Sequence, residues 1–455
     1  MRESLLAALV AAVLLAGCGA DASTAAAPAP PSSTSTTRVS APAPPTTTTA
    51  PPEIVDAVCQ PWAEDPVAPE AAPLTAVLAA HLDDPRLEGV EVSTSVWVDG
   101  LGEVLAHHPE DPLLVASNQK LLTAMGLLEV VPLDATLRTG VVAGPGTELS
   151  TGVVDGDLTL VAGGDPELTS TGPHSLTALA EEVRAAGVTE VRGGLVVDDS
   201  RYGSERAAPG WQDWHIPAYT GPLSALVVDD NRGRSDPAFL AEPALGHGEA
   251  FRDRLAAVGV RVAGPVVTVG AAPADGVAVA DLDSAPVGDL MATMLLSSDN
   301  EVAESLTREA GVLLDGDGST PDGTAALEAR LLDGCAPLTP GAWADGSGMS
   351  RSDRRSAREM RRLVQHAQAQ EWWTDLESRL PVAGQSGTLA GRFRGTAAEG
   401  RVVAKTGTII GGVTLTGIVT TAGGREGVFS ILINGDGSTA ARGALDDLVI
   451  ALAAS

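Results

Sequence analysis

The stretch LLVASNQKLLTAMGLL, residues 113–128, combines an apolar helical pattern with a serine and a lysine three positions apart. On a helix, residues i and i+3 share one face, so the Ser117 hydroxyl and the Lys120 amine can exchange a proton. A serine becomes a nucleophile when a neighbouring base removes its proton, and a neutral lysine amine can be that base. The stretch therefore predicts a mostly buried helix whose first turn holds Ser117. A Ser-x-x-Lys pair alone is weak evidence, because it also arises by chance.

The scarcity of lysine makes Lys120 more informative. Of the 29 basic residues, only Lys120 and Lys405 are lysines and the other 27 are arginines. Arginine stays protonated in proteins, whereas burial can make a lysine amine neutral and able to accept a proton. We therefore expect Lys120 and Lys405 to act as an amine base or as a compact cation. The alternative is that two lysines are left over by chance.

Composition limits the class of protein. The chain has 455 residues, of which 44% are apolar, and this length predicts a globular protein with two or more domains. A formal net charge of −30 argues against nucleic acid as a partner, because little in the chain would neutralise phosphates. The sequence contains no His-Glu-x-x-His, no Gly-x-Ser-x-Gly and no phosphate-binding loop. We expect neither a metal ion nor another cofactor.

The N-terminus resembles an export signal. Residues 1–18 contain Arg2, an apolar run too short to span a membrane, and small residues before Cys18. This pattern resembles a bacterial lipoprotein signal, in which Cys18 becomes the lipidated first residue of the mature chain. Ordinary cleavage without lipid is the alternative. Residues 19–52 are rich in Pro, Thr and Ala and predict an extended linker.

Two cysteines remain if Cys18 carries lipid. Disulfides persist in exported proteins, so Cys59 and Cys335 are predicted to form a bridge. Two free buried thiols are the alternative.

The body of the chain mixes helical and strand patterns. Residues 139–283 contain short strands punctuated by glycine and one clear helix, SLTALAEEVRAAG, and they predict a separate insertion domain. The C-terminal part predicts strands around RVVAKTGT, GVTLTGIVTTA and GVFSILING and a closing helix from about Ala440. The predicted fold class is α/β (α+β), an antiparallel meander packed against helices.

Two further motifs follow the insertion. Ser298, Asp299 and Asn300 begin a predicted helix, where a serine or asparagine could serve only as an N-cap. Lys405 begins Lys-Thr-Gly-Thr on a predicted strand, where Gly407 would let a substrate approach the backbone closely. Each motif alone is modest evidence. The chain's only two lysines lie inside this set of motifs, which makes chance improbable.

The ordered triple Ser-x-x-Lys, Ser-Asp-Asn and Lys-Thr-Gly is the signature of penicillin-binding proteins and serine β-lactamases. From about residue 74 to the end, the chain specifically resembles the low-molecular-mass class C penicillin-binding proteins, the D-alanyl-D-alanine carboxypeptidases/endopeptidases of peptidase family S13. The stretches VASNQKLLTA, GDLTLVAGGDPEL, DGSGMSR and LPVAGQSGTLAGRFRGTAAEGRVVAKTGT carry this resemblance. It implies a transpeptidase-like domain, residues 53–138 and 284–455, with an antiparallel sheet flanked by helices and interrupted by a β-rich insertion domain at 139–283.

The resemblance also implies roles for the catalytic residues. Ser117 would be the nucleophile and Lys120 its base, with a pKa lowered by burial and by the like charge of Lys405. Ser298 would relay the proton to the departing amine, and Asn300 would hold the substrate amide and Lys120.

Further residues are implied to bind the substrate. Lys405, implied to be catalytic as well, would supply a positive field and, with Thr406 and Thr408, contact the terminal carboxylate of the peptide. Gly407 would also bind the substrate, and backbone N–H groups of Ser117 and Thr408 would form the oxyanion hole. Outside this set, Asp345 and Ser347 are expected to shape the rim of the site. A purely structural turn is the alternative for that pair.

The implied function is that of a serine DD-carboxypeptidase, with possible DD-endopeptidase action, that remodels peptidoglycan and is acylated by β-lactams. The implied partners are peptidoglycan stem peptides, β-lactam antibiotics and a membrane bound through the lipid at Cys18. The expected location is the outer face of the cytoplasmic membrane. A non-catalytic, lipid-tethered penicillin-binding scaffold or sensor and a β-lactamase are the alternatives.

Overall fold

The computed structural model describes Cys59, Trp62, Ala63 and residues 66–231, 240–264 and 267–455. The predicted signal peptide at 1–18, the linker at 19–52 and the lipid site at Cys18 lie outside the described residues.

The strands are numbered along the chain. They are β1 (Glu91–Val98), β2 (Gly102–His107), β3 (Leu113–Leu114), β4 (Arg138–Ala143), β5 (Val153–Val154), β6 (Leu158–Val161), β7 (Glu190–Val191), β8 (Leu195–Asp198), β9 (Arg261–Val262), β10 (Val267–Val269), β11 (Val277–Asp283), β12 (Arg354–Arg355), β13 (Val402–Ile409), β14 (Gly412–Thr420) and β15 (Glu426–Asn434).

The α-helices are numbered in the same way, and short 3₁₀ turns lie between some of the elements. They are α1 (Ala72–Ala80), α2 (Gln119–Leu128), α3 (Leu176–Ala185), α4 (His215–Ala218), α5 (Pro243–Ala257), α6 (Val287–Leu296), α7 (Asn300–Leu313), α8 (Thr320–Asp333), α9 (Ala357–Gln368), α10 (Trp373–Glu377) and α11 (Ser438–Ala453).

The sheet that includes the C-terminal strands has the order β13-β14-β15-β1-β2, and every neighbouring pair is antiparallel. Its strands alternate between two cores, as the period of two in a strand requires. In β15, Val428 and Leu432 face a core shared with α2, α6, α7, α8 and α9. Phe429 and Ile431 face the opposite core, shared with α1 and α11. Apolar burial on both faces explains why GVFSILING is apolar nearly throughout, and the predicted antiparallel sheet flanked by helices is confirmed.

Helix α2 lies inside the first of these cores. Nine of its ten residues, Gln119 to Leu127, are buried, so the helix is surrounded by protein on all sides. A helix that is buried on all sides is expected to be mostly apolar, and Lys120 is its one charged residue and therefore needs partners.

The chain between α2 and α6 forms a second sheet with its own core. The strand order is β10-β8-β6-β4-β11, with β6, β8 and β10 mutually parallel and β4 and β11 antiparallel. The short strands β5, β7 and β9 form a separate parallel sheet. Helices α3 and α5 supply apolar residues such as Leu179 and Phe251 to this core.

Helix α5 was not predicted from the sequence. Its residues, PALGHGEAFRDRLAA, include two glycines, which are poor helix formers. Gly248 is nevertheless needed there, because a Cβ at this position would lie 2.5 Å from Val267 Cγ1 and 2.6 Å from Val197 Cγ2. Close packing of the helix on β8 and β10 explains the glycine that weakens the local helical pattern.

The segment between Arg138 and Asp283 leaves and rejoins the rest of the chain at adjacent points. Arg138 begins β4 and Asp283 ends β11, and these two residues are direct partners in the antiparallel pair. Their side chains also form an ion pair, with Arg138 Nε 2.7 Å from Asp283 Oδ1. A domain tolerates a long inserted segment when the two ends of that segment lie close together, as Arg138 and Asp283 do here.

Cys59 and Cys335, 276 positions apart, form a disulfide with their Cα atoms 5.3 Å apart. Among the described residues, no helix combines the length and the apolar character that a bilayer span requires.

Candidate active site

Ser117 lies in a tight turn that precedes α2. The turn is a 3₁₀ segment, Ala116–Asn118, and not the first turn of the α-helix, which begins at Gln119. Ala116 has a left-handed backbone with φ 47°, which costs a residue with a side chain roughly 1–2 kcal/mol. Hydrogen bonds hold the strained turn: Thr414 Oγ1 donates to the Val115 carbonyl at 2.9 Å, and Asn118 Nδ2 donates to Thr416 Oγ1 at 2.8 Å. Strand β14 thus fixes the turn that carries the Ser117 hydroxyl.

Gly407 brings the edge strand β13 against this turn. A Cβ at position 407 would lie 2.1 Å from Thr414 Oγ1 and 2.9 Å from the Val115 carbonyl oxygen. The space that a side chain would need is filled by protein. Gly407 is therefore required for packing of β13 on the turn, which is a different reason from the predicted close approach of a substrate.

The Lys120 amine is fully buried and has three neighbours. Its Nζ lies 2.7 Å from Asn300 Oδ1, 2.7 Å from the Ser347 carbonyl oxygen and 3.2 Å from Ser117 Oγ. The first two are oxygens that can only accept, so they take two N–H bonds of the amine. A neutral amine has two N–H bonds, and its lone pair is then left for the Ser117 hydroxyl. The geometry suits a lysine that receives the proton of Ser117.

The orientation of the Asn300 amide is fixed by its second contact. Asn300 Nδ2 donates to the Tyr219 carbonyl at 3.1 Å, so Oδ1 is the atom that faces Lys120. Tyr219 belongs to the segment between α4 and α5. Residues far apart in the sequence therefore aim one amide at the lysine.

Lys405 forms a second contact group with Ser298. The Lys405 amine is also fully buried, and its Nζ lies 2.8 Å from Ser298 Oγ and 2.9 Å from the Thr406 carbonyl oxygen. Ser298 has a left-handed backbone with φ 65°, and the next residue, Asp299, caps α7 by accepting from the Val302 N–H. The predicted alternative, that Ser298 or Asn300 is the N-cap, is therefore wrong.

Burial shifts the pKa values of both lysines toward the neutral amine. Burial lowers the pKa of Lys120 to about 8, against the attraction of Asp345, Glu304 and Asp299, which raises it. Burial also lowers the pKa of Lys405 well below its usual range, and the charge of Lys120 lowers it further. The predicted effect of like charge thus falls on Lys405, while the pKa of Lys120 is lowered by burial.

Carboxyl groups lie beneath Lys120. Asp345 is fully buried and accepts from the N–H groups of Gly348 at 2.6 Å and Ser350 at 2.7 Å. The Ser347 N–H donates to Glu304 Oε1 at 2.9 Å, which orients the 345–348 loop so that the Ser347 carbonyl meets the lysine. Asp345 and Ser347 are both fully buried, so the prediction that they shape the rim of the site is wrong.

Burial keeps Glu304 uncharged over a wider pH range than usual. Burial, together with the charge of the neighbouring Asp345, raises the pKa of Glu304 to about 8. The hydrogen bonds from Ser347 act in the opposite direction because they stabilise the carboxylate.

Sequence reasoning did not identify several residues that support the site. Trp211 Nε1 donates to Asp345 Oδ2 at 2.7 Å, and Thr220 Oγ1 donates to Glu301 Oε2 at 2.8 Å. Both bonds connect the segment between β8 and α5 to the residues around Lys120. Glu304 alone had a local signal, because it lies four residues after Asn300 on the same face of α7.

The two threonines of the third motif lie beside the turn of Ser117. Thr406 Oγ1 is 2.8 Å from Thr388 Oγ1, and Thr408 Oγ1 accepts from Arg442 Nη2 at 3.2 Å. Thr408 is exposed, so its hydroxyl is accessible to a ligand.

The Ser117 hydroxyl faces a buried lysine, and the Ser-x-Asn and Lys-Thr-Gly motifs lie next to it, the latter on an antiparallel sheet. This arrangement defines the class of serine acyl-transfer enzymes to which penicillin-binding proteins and β-lactamases belong. Within that class, the chain belongs to the D-Ala-D-Ala carboxypeptidase 3 (S13) family, whose model matches residues 74–238 and 233–455.

Similar proteins agree with this assignment. A D-alanyl-D-alanine carboxypeptidase of Actinomadura sp. (strain R39) is 34% identical over 460 residues, covering 82% of this chain and 83% of that protein. A carboxypeptidase of Mycobacterium tuberculosis is 32% identical over 423 residues, with 88% of each chain covered. The crystal structure of penicillin binding protein 4 from Haemophilus influenzae superposes with a TM-score of 0.71 at 21% identity, over 82% of this chain and 97% of that one.

Replacing Gly407 tests the packing of β13 on the turn. In Gly407→Ala, the new Cβ should push β13 and the Ser117 turn apart and slow covalent labelling of Ser117 by benzylpenicillin about 100-fold, since misplacement by about 1 Å has effects of this size. Mass spectrometry of the intact protein over time gives the labelling rate. Gly144→Ala is the matched control, because its Cβ meets no atom within 4 Å. An unchanged rate in Gly407→Ala would refute this role of the glycine.

Proposed function

We propose that the protein hydrolyses the terminal D-Ala-D-Ala bond of peptidoglycan stem peptides through an acyl-enzyme on Ser117. The observation that carries this proposal is the contact set of Lys120, in which Asn300 Oδ1 and the Ser347 carbonyl accept from the amine and Ser117 Oγ lies 3.2 Å from Nζ as its third neighbour. Membership of the D-Ala-D-Ala carboxypeptidase 3 (S13) family supports the same substrate and reaction.

Acylation begins when Ser117 Oγ attacks the carbonyl carbon of the penultimate D-alanine. The proton of Ser117 moves to the Lys120 amine as the new C–O bond forms. The tetrahedral intermediate then loses the terminal D-alanine by breakage of its C–N bond. The departing nitrogen takes up the proton that Lys120 received, relayed through the Ser298 hydroxyl, which is 2.8 Å from Lys405 Nζ, so that Lys120 is neutral again. Water then attacks the ester and gives a proton to Lys120, which returns it to Ser117 Oγ as the peptide acid leaves.

The rest of the third motif binds the two ends of the scissile amide. Backbone N–H groups of Ser117 and Thr408 serve as the oxyanion hole, in which preorganised donors stabilise the charge that develops on the carbonyl oxygen. Hydroxyl groups of Thr406 and Thr408 donate to the terminal carboxylate, with Lys405 behind them. Asn300 fits a dual role, since its amide oxygen holds Lys120 at 2.7 Å while the residue lines the cleft.

We assign residues 139–283 to an insertion domain and residues 53–138 and 284–455 to the catalytic domain. The separate strand order and core of the inserted segment support this division. The insertion also contributes to the site through the Tyr219 carbonyl, which holds the Asn300 amide. This contact gives the insertion a role in catalysis.

The substrate, the Pro/Thr-rich segment and the signal pattern together support a place in the cell envelope. We further propose that Cys18 carries a lipid that tethers the catalytic domain to the outer face of the membrane. β-Lactams are expected as inhibitors. Penicillin binding protein 4 of Haemophilus influenzae, which shares this fold, has been solved in complex with a novel β-lactam, and its TM-score here is 0.68.

The central prediction concerns the acyl-enzyme. Benzylpenicillin should add one covalent adduct to the protein and none to Ser117→Ala, as measured by intact mass, and the wild type should release D-alanine from a pentapeptide. Absence of an adduct would contradict the assigned nucleophile. An adduct without D-alanine release would point to a scaffold or sensor, and rapid turnover of penicillin to a β-lactamase. A cross-linked peptide dimer in the same assay tests endopeptidase action.

The base is tested by pH and by Lys120→Arg. Because only the neutral amine accepts a proton and the pKa of Lys120 is about 8, the acylation rate should rise with pH and level off above pH 8. Lys120→Arg keeps the charge but cannot lose a proton, so acylation should fall by about 100-fold or more. Arg425→Lys, at the exposed turn between β14 and β15, is the matched control and should keep the wild-type rate. A rate independent of pH, or an active Lys120→Arg, would exclude this role.

The lipid anchor is tested by fractionation of cells. Cys18→Ser should move the protein from the membrane fraction to the soluble fraction, since it removes the only attachment that we propose. Ser117→Ala should stay with the membranes. Membrane attachment that persists in Cys18→Ser would refute lipidation.

A further inference from the structure

Arg442 lies next to the substrate-binding threonines without having been part of any motif. It is in the second turn of α11, and its Nη2 donates to Thr408 Oγ1 at 3.2 Å. Arg442 as a residue is partly buried. It therefore places a positive charge directly behind the exposed hydroxyl that ends Lys-Thr-Gly-Thr.

The two acidic residues near Arg442 on α11 form ion pairs with other arginines. Asp446, four residues further on, is the natural helical partner, yet its carboxylate is paired with Arg392. Asp447 is paired with Arg86, with Oδ2 2.5 Å from Arg86 Nη2. Within 66–231, 240–264 and 267–455, no carboxylate lies within 4.0 Å of the Arg442 guanidinium. In a chain with a net charge of −30, an arginine in this position can still accept an anion.

The contact with Thr408 has a direction that suits an anionic ligand. A threonine hydroxyl has one donor and two acceptor positions. The N–H of Arg442 uses an acceptor position of Thr408 Oγ1, so the O–H remains free to donate into the cleft. A positive charge behind the oxygen also makes that O–H a stronger donor.

The charge of Arg442 does not depend on the state of the two buried lysines. Burial lowers the pKa of Lys405 well below its usual range, and an arginine stays protonated under the same conditions. A carboxylate at Thr408 thus has a permanent positive charge nearby even when the Lys405 amine is neutral.

We propose that Arg442 is a positioning residue that, through Thr408, selects substrates and inhibitors with a carboxylate next to the scissile bond. This inference rests on the proposed function and extends it to specificity. Loss of the guanidinium should weaken recognition of the carboxylate and leave the chemistry at Ser117 intact.

The test compares a ligand that has the carboxylate with one that lacks its charge. Second-order acylation rates are measured by intact mass with benzylpenicillin and with its methyl ester, for the wild type, Arg442→Gln and Arg442→Lys. A covalent adduct accumulates, so slow rates remain measurable. Arg442→Gln should slow acylation by benzylpenicillin about tenfold, the size of a charge-assisted hydrogen bond, and should not slow acylation by the ester. Arg442→Lys should recover part of the rate.

Arg425→Gln is the matched control. Arg425 lies at the opposite end of β14, where Thr420 pairs with Glu426, while Thr408 pairs with Val413. Its substitution should change neither rate. An equal loss with both ligands in Arg442→Gln would indicate a structural role, and no loss with either would exclude any role, so both results overturn the inference. Failure of the wild type to form any adduct would instead contradict the proposed function.

Discussion

The rest of the site depends on the burial of the Lys120 amine inside a helix that is enclosed on all sides. A charged amine without partners in such a place would be very unfavourable, so the amine must be neutral or held by acceptors. Burial lowers its pKa to about 8, which favours the neutral amine, and oxygens of Asn300 and Ser347 accept its N–H bonds. The two acceptors come from α7 and from the 345–348 loop. Satisfying one amine therefore fixes two parts of the chain, α7 and the 345–348 loop, relative to α2 and Ser117.

Much of this arrangement could be predicted because its signals are local or rare. Ser117 and Lys120 are three residues apart, and only two lysines occur in the chain, so their motifs stand out without any knowledge of the fold. The strands near the C-terminus are rich in apolar and β-branched residues and are separated by clear turns. The hydrogen bonds that hold the 345–348 loop beneath Lys120 join partners that no sequence motif connects. Trp211 reaches Asp345 across 134 positions and Glu304 reaches Ser347 across 43, and neither pair follows a periodic pattern.

Other features escaped prediction because tertiary packing overrides local preference. Ala116 and Ser298 have left-handed backbones, a conformation rarely adopted by residues with a Cβ. In each case the strained backbone positions a functional hydroxyl, that of Ser117 or of Ser298, and the surrounding hydrogen bonds maintain the strained conformation. Helix α5 is another example, because Gly248 lowers the helix propensity of its segment but lets the helix pack closely on its sheet. Gly407 likewise has a packing role that its motif does not reveal.

Glu304 and Lys120 both contact the 345–348 loop, and their pKa values are also related. Burial raises the pKa of Glu304 to about 8 and lowers the pKa of Lys120 to about 8, so the same cause favours the neutral form of both groups. An ionised Glu304 would raise the pKa of Lys120, so a smaller fraction of the amine would be neutral and able to accept the proton of Ser117. A neutral Glu304 removes that attraction while its Oε1 still accepts from the Ser347 N–H at 2.9 Å. Deep burial of both groups is therefore what lets a carboxyl group lie near the base while the lysine is still able to become neutral.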